Sequence, residues 1–179
     1  ASILGAATSL IDVGDKLDSG KRLDLLKQIR EEVEHLDGMV RNLLSITRID
    51  SGALELRKDW NDLGEIAARV ASAARRRGAR QIIEISLPPH LPLVRVDAVL
   101  AEQALGNIVG NAVAHTPESA CIVIAAEFDD QFIGLQVTDD GPGIAPELLP
   151  RVFDRFVSAP TVSDHGERTG LGLAIAKGI

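Results

Sequence analysis

Apolar residues recur along the first third of the chain at spacings of three and four. Ile3, Leu4, Ala7, Leu10 and Ile11 share one helical face and Leu17 extends it, so residues 1–17 are predicted as a helix. Asp18-Ser19-Gly20 reads as a turn. From about Lys21 to Asp50 the apolar positions are Leu26, Ile29, Val33, Leu36, Val40 and Leu43. Their alternating threes and fours make a heptad seam on a second, longer helix. Ser51-Gly52 stops it. A hairpin of this kind cannot bury its apolar faces alone. Two copies side by side make a four-helix bundle, so a homodimer through residues 1–52 is expected. The alternative is that the seam packs on the rest of the same chain.

The period then changes. An extended stretch runs from Ala53 to Arg57 and on to Trp60, and an Ala- and Arg-rich helix follows over 62–77. A strand is predicted from Gln81 to Leu87, a turn at Pro88-Pro89, and a short strand from Leu93 to Val96. A helix runs from about Asp97 to Ala114, with Asp97 as its N-cap. Two strands, near 120–128 and 132–138, flank a turn at Asp129-Asp130. From Asp139 the chain is Gly-rich and irregular until a helix opens near Leu171. Helices and strands are mixed without strict βαβ alternation. The expected fold class is α+β: a helical hairpin (1–52), then an α/β sandwich (60–179) with one mixed sheet covered by helices on one face.

Composition narrows the picture. Hydrophobic residues make up 45%, enough for a packed core, but aromatics only 3%, so that core must be aliphatic. The net charge of −7 weighs against a nucleic-acid surface. The basic run Arg75-Arg76-Arg77, with Arg80, is short and reads as a solvated helix end. A single cysteine, Cys121, allows no internal disulfide, and a reducing compartment fits. No apolar run approaches the roughly 20 residues of a membrane helix, and no signal peptide opens the chain. Any membrane span of a parent protein is therefore expected outside this chain.

Four local patterns carry candidate chemistry, each weak alone. Asn107 and Asn111 lie four apart on a helix and so share a face; a carboxamide oxygen suits Mg²⁺, a hard cation that keeps several waters. Asp139-Asp140-Gly141-Pro142-Gly143-Ile144 follows a strand, where a carboxylate can accept a hydrogen bond from an amine and glycines permit close approach. Phe153-Asp154-Arg155-Phe156 places two rings three residues apart, able to fasten a loop to the core. Thr169-Gly170-Leu171-Gly172-Leu173 stands at a loop-to-helix transition, where bare N–H groups bind phosphate. It is neither a Walker loop nor a dinucleotide fingerprint, since no Gly-Lys-Ser/Thr follows and no strand precedes it.

In this order the four patterns resemble the boxes of the histidine-kinase ATP-binding domain, over roughly residues 60–179. That domain belongs to the superfamily shared with gyrase, the ninety-kilodalton heat-shock chaperone and the mismatch-repair ATPases. The hairpin resembles the dimerisation and phosphotransfer domain of the same kinases. ASILGAATSL is similar to the stretch after their His-Asp-Leu-Arg-Thr-Pro-Leu box. NLLSITRIDSGALELRKDW and ISLPPHLPLVRVD resemble more narrowly the KdpD-type potassium and osmotic sensor kinases.

The resemblance implies ATP and Mg²⁺ as ligands. Asn111 would ligate the metal, with Asn107 supporting it, and His115 falls where an adenine-stacking aromatic is usual. Asp139 would bind the adenine amine, with Gly141, Gly143 and Ile144 shaping that wall. Residues 157–169 would form a lid. Gly170, Leu171 and Gly172 would contact the phosphates through their backbone, flanked by Thr169 and Leu173. The superfamily's ATPases carry a general-base Glu where this chain has Asn107, and an amide cannot take a proton. The pocket would thus hold ATP for an incoming nucleophile rather than hydrolyse it. Three positions depart from the family pattern: Ala114 for a Lys, Ser158 for an Arg and Arg168 for a Gly. Arg155 or Arg168 would then supply the missing charge to the γ-phosphate. These departures also motivate a rival reading, a kinase-inactive ATP-binding dimerisation module.

His35, on the second helix and without the family's trailing Pro, is expected as a surface or bundle-flank residue, and His90 and His165 as solvent-exposed. The phosphoacceptor His and its carboxylate base are expected upstream of Ala1, so no catalytic residue is assigned in this chain. Further strands are expected after Ile179. The implied partner besides the second copy is a response-regulator receiver domain. The implied location is the cytoplasmic side of an inner-membrane protein.

Overall fold

Short polar side chains at the helix starts set the frame. Ser2 accepts the Gly5 N–H at 3.2 Å, satisfying one of the donors that open a helix. Helix α1 spans Ile3–Val13 and runs into a 3₁₀ turn, Gly14–Lys16. Asp18 accepts the Lys21 N–H at 2.9 Å. The predicted turn at 18–20 is thus mostly the capped start of α2, Ser19–Asp50. Gly52, in the left-handed region at φ 63°, ends α2, its N–H bonded to the Ile49 carbonyl at 3.1 Å. A computed structural model describes residues 2–52, 55–129, 131–157 and 170–179, in two units divided between Ser45 and Ile46.

In the first unit, Ala6 is the buried hydrophobic residue among those described. Leu26, Val33, Leu36, Val40 and Leu43 remain about half exposed along the seam. Ion pairs Arg30–Glu34 (3.8 Å) and Asp37–Arg41 (2.8 Å) solvate other faces of α2.

The second unit begins with the last turn of α2. It continues through β1 (Asp59–Asn61), α3 (Leu63–Arg76), β2 (Ile82–Ser86), β3 (Val94–Val96) and α4 (Ala98–His115). Then come β4 (Cys121–Phe128), β5 (Ile133–Asp139), a 3₁₀ turn (Leu149–Arg151) and α5 (Gly172–Gly178). The mixed sheet has the order β2-β4-β5, with β2 parallel and β5 antiparallel to β4. The two shortest strands, β1 and β3, pair antiparallel with each other as a separate ribbon instead of joining it.

Strand alternation builds the core. Ile122, Ile124 and Ala126 of β4 point to one face and are buried. Against them pack Ile66, Ala67, Val70 and Ala71 of α3, and Leu105, Val109 and Ala112 of α4. Burial of each fully enclosed isoleucine contributes about 1.5–3 kcal/mol. Ile66, Ile122 and Ile124 all reach 0% exposure. All four phenylalanines and Trp60 lie exposed, so this core is aliphatic throughout.

Asp97 caps α4, accepting the Val99 and Leu100 N–H groups at 3.1 and 3.2 Å, and also the Arg57 N–H at 2.9 Å. Core packing of Leu105, Val109 and Ala112 then fixes which face of α4 turns toward α5 and the end of β5.

Candidate functional site

That second face carries Asn107, Asn111 and His115 at four-residue intervals, each half-buried. From Asn107 to His115 the helix rises about 12 Å. At the Asn107 end stands the start of α5: a Cβ added to Gly172 would lie 3.7 Å from Asn107 Cβ and Cγ. The Asn107 amide nitrogen is buried with no acceptor, a donor open to a partner at this end of the face.

At the His115 end stands the loop after β5. A Cβ on Gly141 would fall 2.7 Å from Asp139 Oδ1, 2.7 Å from Thr116 Cγ2 and 3.6 Å from the His115 carbonyl. A side chain at 141 would force Asp139 or the buried Thr116 to shift. The structure therefore brings Asn107 to Gly172, and His115 with Thr116 to Asp139 and Gly141. Thr116, which the sequence reading passed over, is 5% exposed and its hydroxyl has no partner.

The adjacent aspartates divide their tasks. Asp139 Oδ1 accepts the Gly141 N–H at 3.0 Å, and the carboxylate remains exposed. Asp140 Oδ1 accepts the Cys121 N–H at 2.9 Å, tying the end of β5 to the start of β4. Desolvation, aided by the charges of Glu84 and Asp140, raises the Cys121 thiol pKa, which disfavours thiolate chemistry. Gly143 adopts φ 75° and Ile144 is 44% exposed.

The turn that leads into α5 is held by backbone and core contacts. Gly170 has φ 61°, and its carbonyl accepts the Phe156 N–H at 3.0 Å. Phe156 is itself left-handed at φ 62°, costly for an aromatic residue. Leu171, 4% exposed, and Ile175, 0%, pack on Ile46. Leu173 is half-buried. Arg168, Thr169 and Ser158, and the lid apart from Val157, lie outside the described residues, as do His165 and the side chain of His35.

Two expectations change. Phe153 and Phe156 do not fasten a loop to the core: they are 47% and 73% exposed, and the Phe153 ring instead sits 5.8 Å from Lys177 Nζ. The positive φ of Phe156 turns its ring outward rather than continuing a helical turn. Arg155 is held by Asp50 in a two-pronged ion pair, Nη1 to Oδ2 at 2.8 Å and Nη2 to Oδ1. No local signal ties these residues together across 105 positions.

Among the described residues no cluster of three or more His, Cys, Asp or Glu could hold a metal. A cation here would rest on the carboxamide of Asn111 and on ligand oxygens, which fits the habit of Mg²⁺ and not that of zinc. A groove of about 580 Å³ lined by Arg48, Glu55, Arg57 and Asp97 lies at the opposite end of α4 and includes none of the predicted site residues.

The chain is similar to known proteins in sequence and in fold. Residues 96–179 match the family described as histidine kinase-, DNA gyrase B- and HSP90-like ATPase. Sensor protein KdpD of Clostridium acetobutylicum is 31% identical over 100% of this chain, which spans 20% of that relative. Sensor protein KdpD of Escherichia coli K12 is 37% identical over 85% of the chain, covering 17% of it. Among solved structures, Acinetobacter baumannii histidine kinase AdeS superposes with a TM-score of 0.70 at 27% identity, over 98% of this chain and 80% of that one. Full-length ShkA in complex with AMPPNP gives a TM-score of 0.69 at 31% identity, over 90% of this chain and 34% of that one. No helix among the described residues is long and apolar enough to cross a membrane.

Proposed function

We propose, because residues 96–179 match the histidine kinase-, DNA gyrase B- and HSP90-like ATPase family and one sensor protein matches along the whole chain, that this chain is the cytoplasmic transmitter part of a two-component sensor histidine kinase. It binds Mg-ATP for phosphorylation of a histidine in the longer protein, followed by transfer to a response-regulator aspartate. The observation that supports this most is the double juxtaposition along one face of α4, Asn107 with Gly172 and His115–Thr116 with Asp139–Gly141. The roughly 12 Å between them suits a nucleotide laid lengthwise, purine at one end and phosphates at the other.

Each residue has a task in that arrangement. The Asp139 carboxylate accepts from the exocyclic amine of adenine and selects against guanine, whose carbonyl at that position would face a carboxylate. Gly141 lets the ring approach, with Gly143 and Ile144 completing the wall and His115 stacking beside it. The N–H groups of Gly170 to Leu173 face the phosphates, because the first turn of a helix has no internal acceptors for them. Mg²⁺, when bound, would neutralise charge on the phosphates, and Asn111 would give it a carboxamide oxygen. Asn107 cannot act as a base, so the site holds the γ-phosphoryl group for in-line attack by a histidine nitrogen; positioning and charge neutralisation carry the catalysis.

Calorimetric titration tests the pocket. ATP with Mg²⁺ should bind the chain, GTP much more weakly, and Asp139→Asn should lower ATP affinity at least about tenfold, the loss of one charge-assisted hydrogen bond. Equal binding of ATP and GTP would sink the purine assignment. For the reaction, the longer protein incubated with γ-labelled ATP should acquire acid-labile, alkali-stable phosphate. Tight binding without label would instead support the kinase-inactive module that Ala114, buried at 2%, motivates.

A further inference from the structure

The Asp50–Arg155 pair lies where three features of the second unit converge. Asp50 closes the last turn of α2, whose Ile46 and Ile49 pack with Leu171, Ile175 and Ile179. A Cβ on Gly178 would meet Ile49 at 3.0 Å, so α5 is seated closely on that turn. Arg155 adjoins Phe156, whose Cα and carbonyl carbon lie 2.9 and 2.8 Å from where a Gly170 Cβ would stand. The guanidinium is therefore anchored one residue from the loop that faces the phosphates, yet is turned to a carboxylate at the helix end.

We propose that Asp50 and the nucleotide's polyphosphate compete for the Arg155 guanidinium, which makes Asp50 a regulatory positioning residue for the nucleotide site. The proposal rests on the reading above that phosphates lie at Gly170–Gly172. Paired with Asp50, Arg155 ties the Phe153–Phe156 turn to the last turn of α2. Paired with phosphate, it adds charge to the site and leaves that turn of α2 held by the Ile46–Ile49 contacts alone. The exchange is energetically accessible because both side chains are 47% exposed, and an ion pair of that exposure contributes little net stability. A polyphosphate offers the same fork geometry with more charge. Hydrogen bonding to Arg155 holds the Asp50 carboxyl below its ordinary range, so the competitor is fully charged at neutral pH.

Calorimetry with Mg-ATP and with adenosine on the intact chain and its variants tests this. Asp50→Asn should tighten Mg-ATP by about threefold to fivefold, the range open to a pair of this exposure, and leave adenosine unchanged. Arg155→Gln should weaken Mg-ATP, and the double variant should match Arg155→Gln alone. Asp50→Glu, which keeps the competing charge, should stay close to the wild type. If Asp50→Asn leaves Mg-ATP unchanged, or shifts ATP and adenosine equally, the competition is refuted and the pair is structural only. Absence of Mg-ATP binding by the wild type would instead strike the nucleotide reading itself, so the two failures are distinguishable.

Discussion

A methyl group at position 170 has nowhere to go. The backbone there is left-handed, and the nearest atoms, at 2.8 Å, are backbone atoms of Phe156 and Val157 that cannot swing aside. Gly170→Ala should cost at least about 1–2 kcal/mol, read as a lowered midpoint in urea. Gly172→Ala makes the informative contrast. Its Cβ would meet Asn107 at an ordinary 3.7 Å, and its φ is not positive. Stability should hold or rise slightly, since alanine is the better helix former. A loss of Mg-ATP affinity in that variant would then report the close approach of phosphate to the backbone. Unchanged affinity would argue against it. At this scale the sequence was most readable where the pattern is local: the two asparagines lie four apart on α4, and Asp139 ends β5. It was least readable where a partner is remote. Nothing in Asp139-Asp140 says which carboxylate reaches back to the Cys121 N–H, and nothing near Arg155 points to Asp50.

Helix α4 is the element on which the site is strung, and Asp97 is its anchor. Three N–H groups converge on that carboxylate, led by that of Arg57, then Leu100 and Val99, and together they lower its pKa from the ordinary 3.8. A carboxyl whose pKa is lower in the folded state stabilises the fold fully above its unfolded value. It loses that contribution as pH falls through the folded one. Asp97→Ala should therefore cost about 1 kcal/mol at neutral pH. The gap between wild type and variant should close below about pH 4 in urea melts repeated across the acid range; a gap independent of pH would mean that the cap does not act through charge. Helix and strand positions were legible because each carries its own period, and α1, α3 and α4 also open on a capping side chain. Asp97 was recognised from its place before an apolar run. The β1–β3 ribbon was not foreseen, because strands of three residues carry too little alternation to declare a partner 35 positions away.

At the level of the whole molecule, the seam of α2 is an unfinished surface. Leucines and valines repeated along one helix and left about half exposed are expected to find a second copy. Leu36→Glu combined with Val40→Glu should turn a sedimenting dimer into a monomer while leaving Mg-ATP affinity unchanged, because the candidate site lies wholly in the second unit. A double variant that stays dimeric would place the interface elsewhere. The heptad spacing announced this seam in the sequence, as alternating threes and fours along α2.

The aliphatic core has a practical corollary for anyone who studies this chain by light. With no tyrosine, one tryptophan 66% exposed and every phenylalanine ring at the surface, near-ultraviolet absorption and emission sample only the periphery. Trp60 rides on the β1–β3 ribbon, so its fluorescence would report that ribbon's fraying rather than the dissolution of the isoleucine interior. Far-ultraviolet dichroism or scanning calorimetry would follow the interior itself.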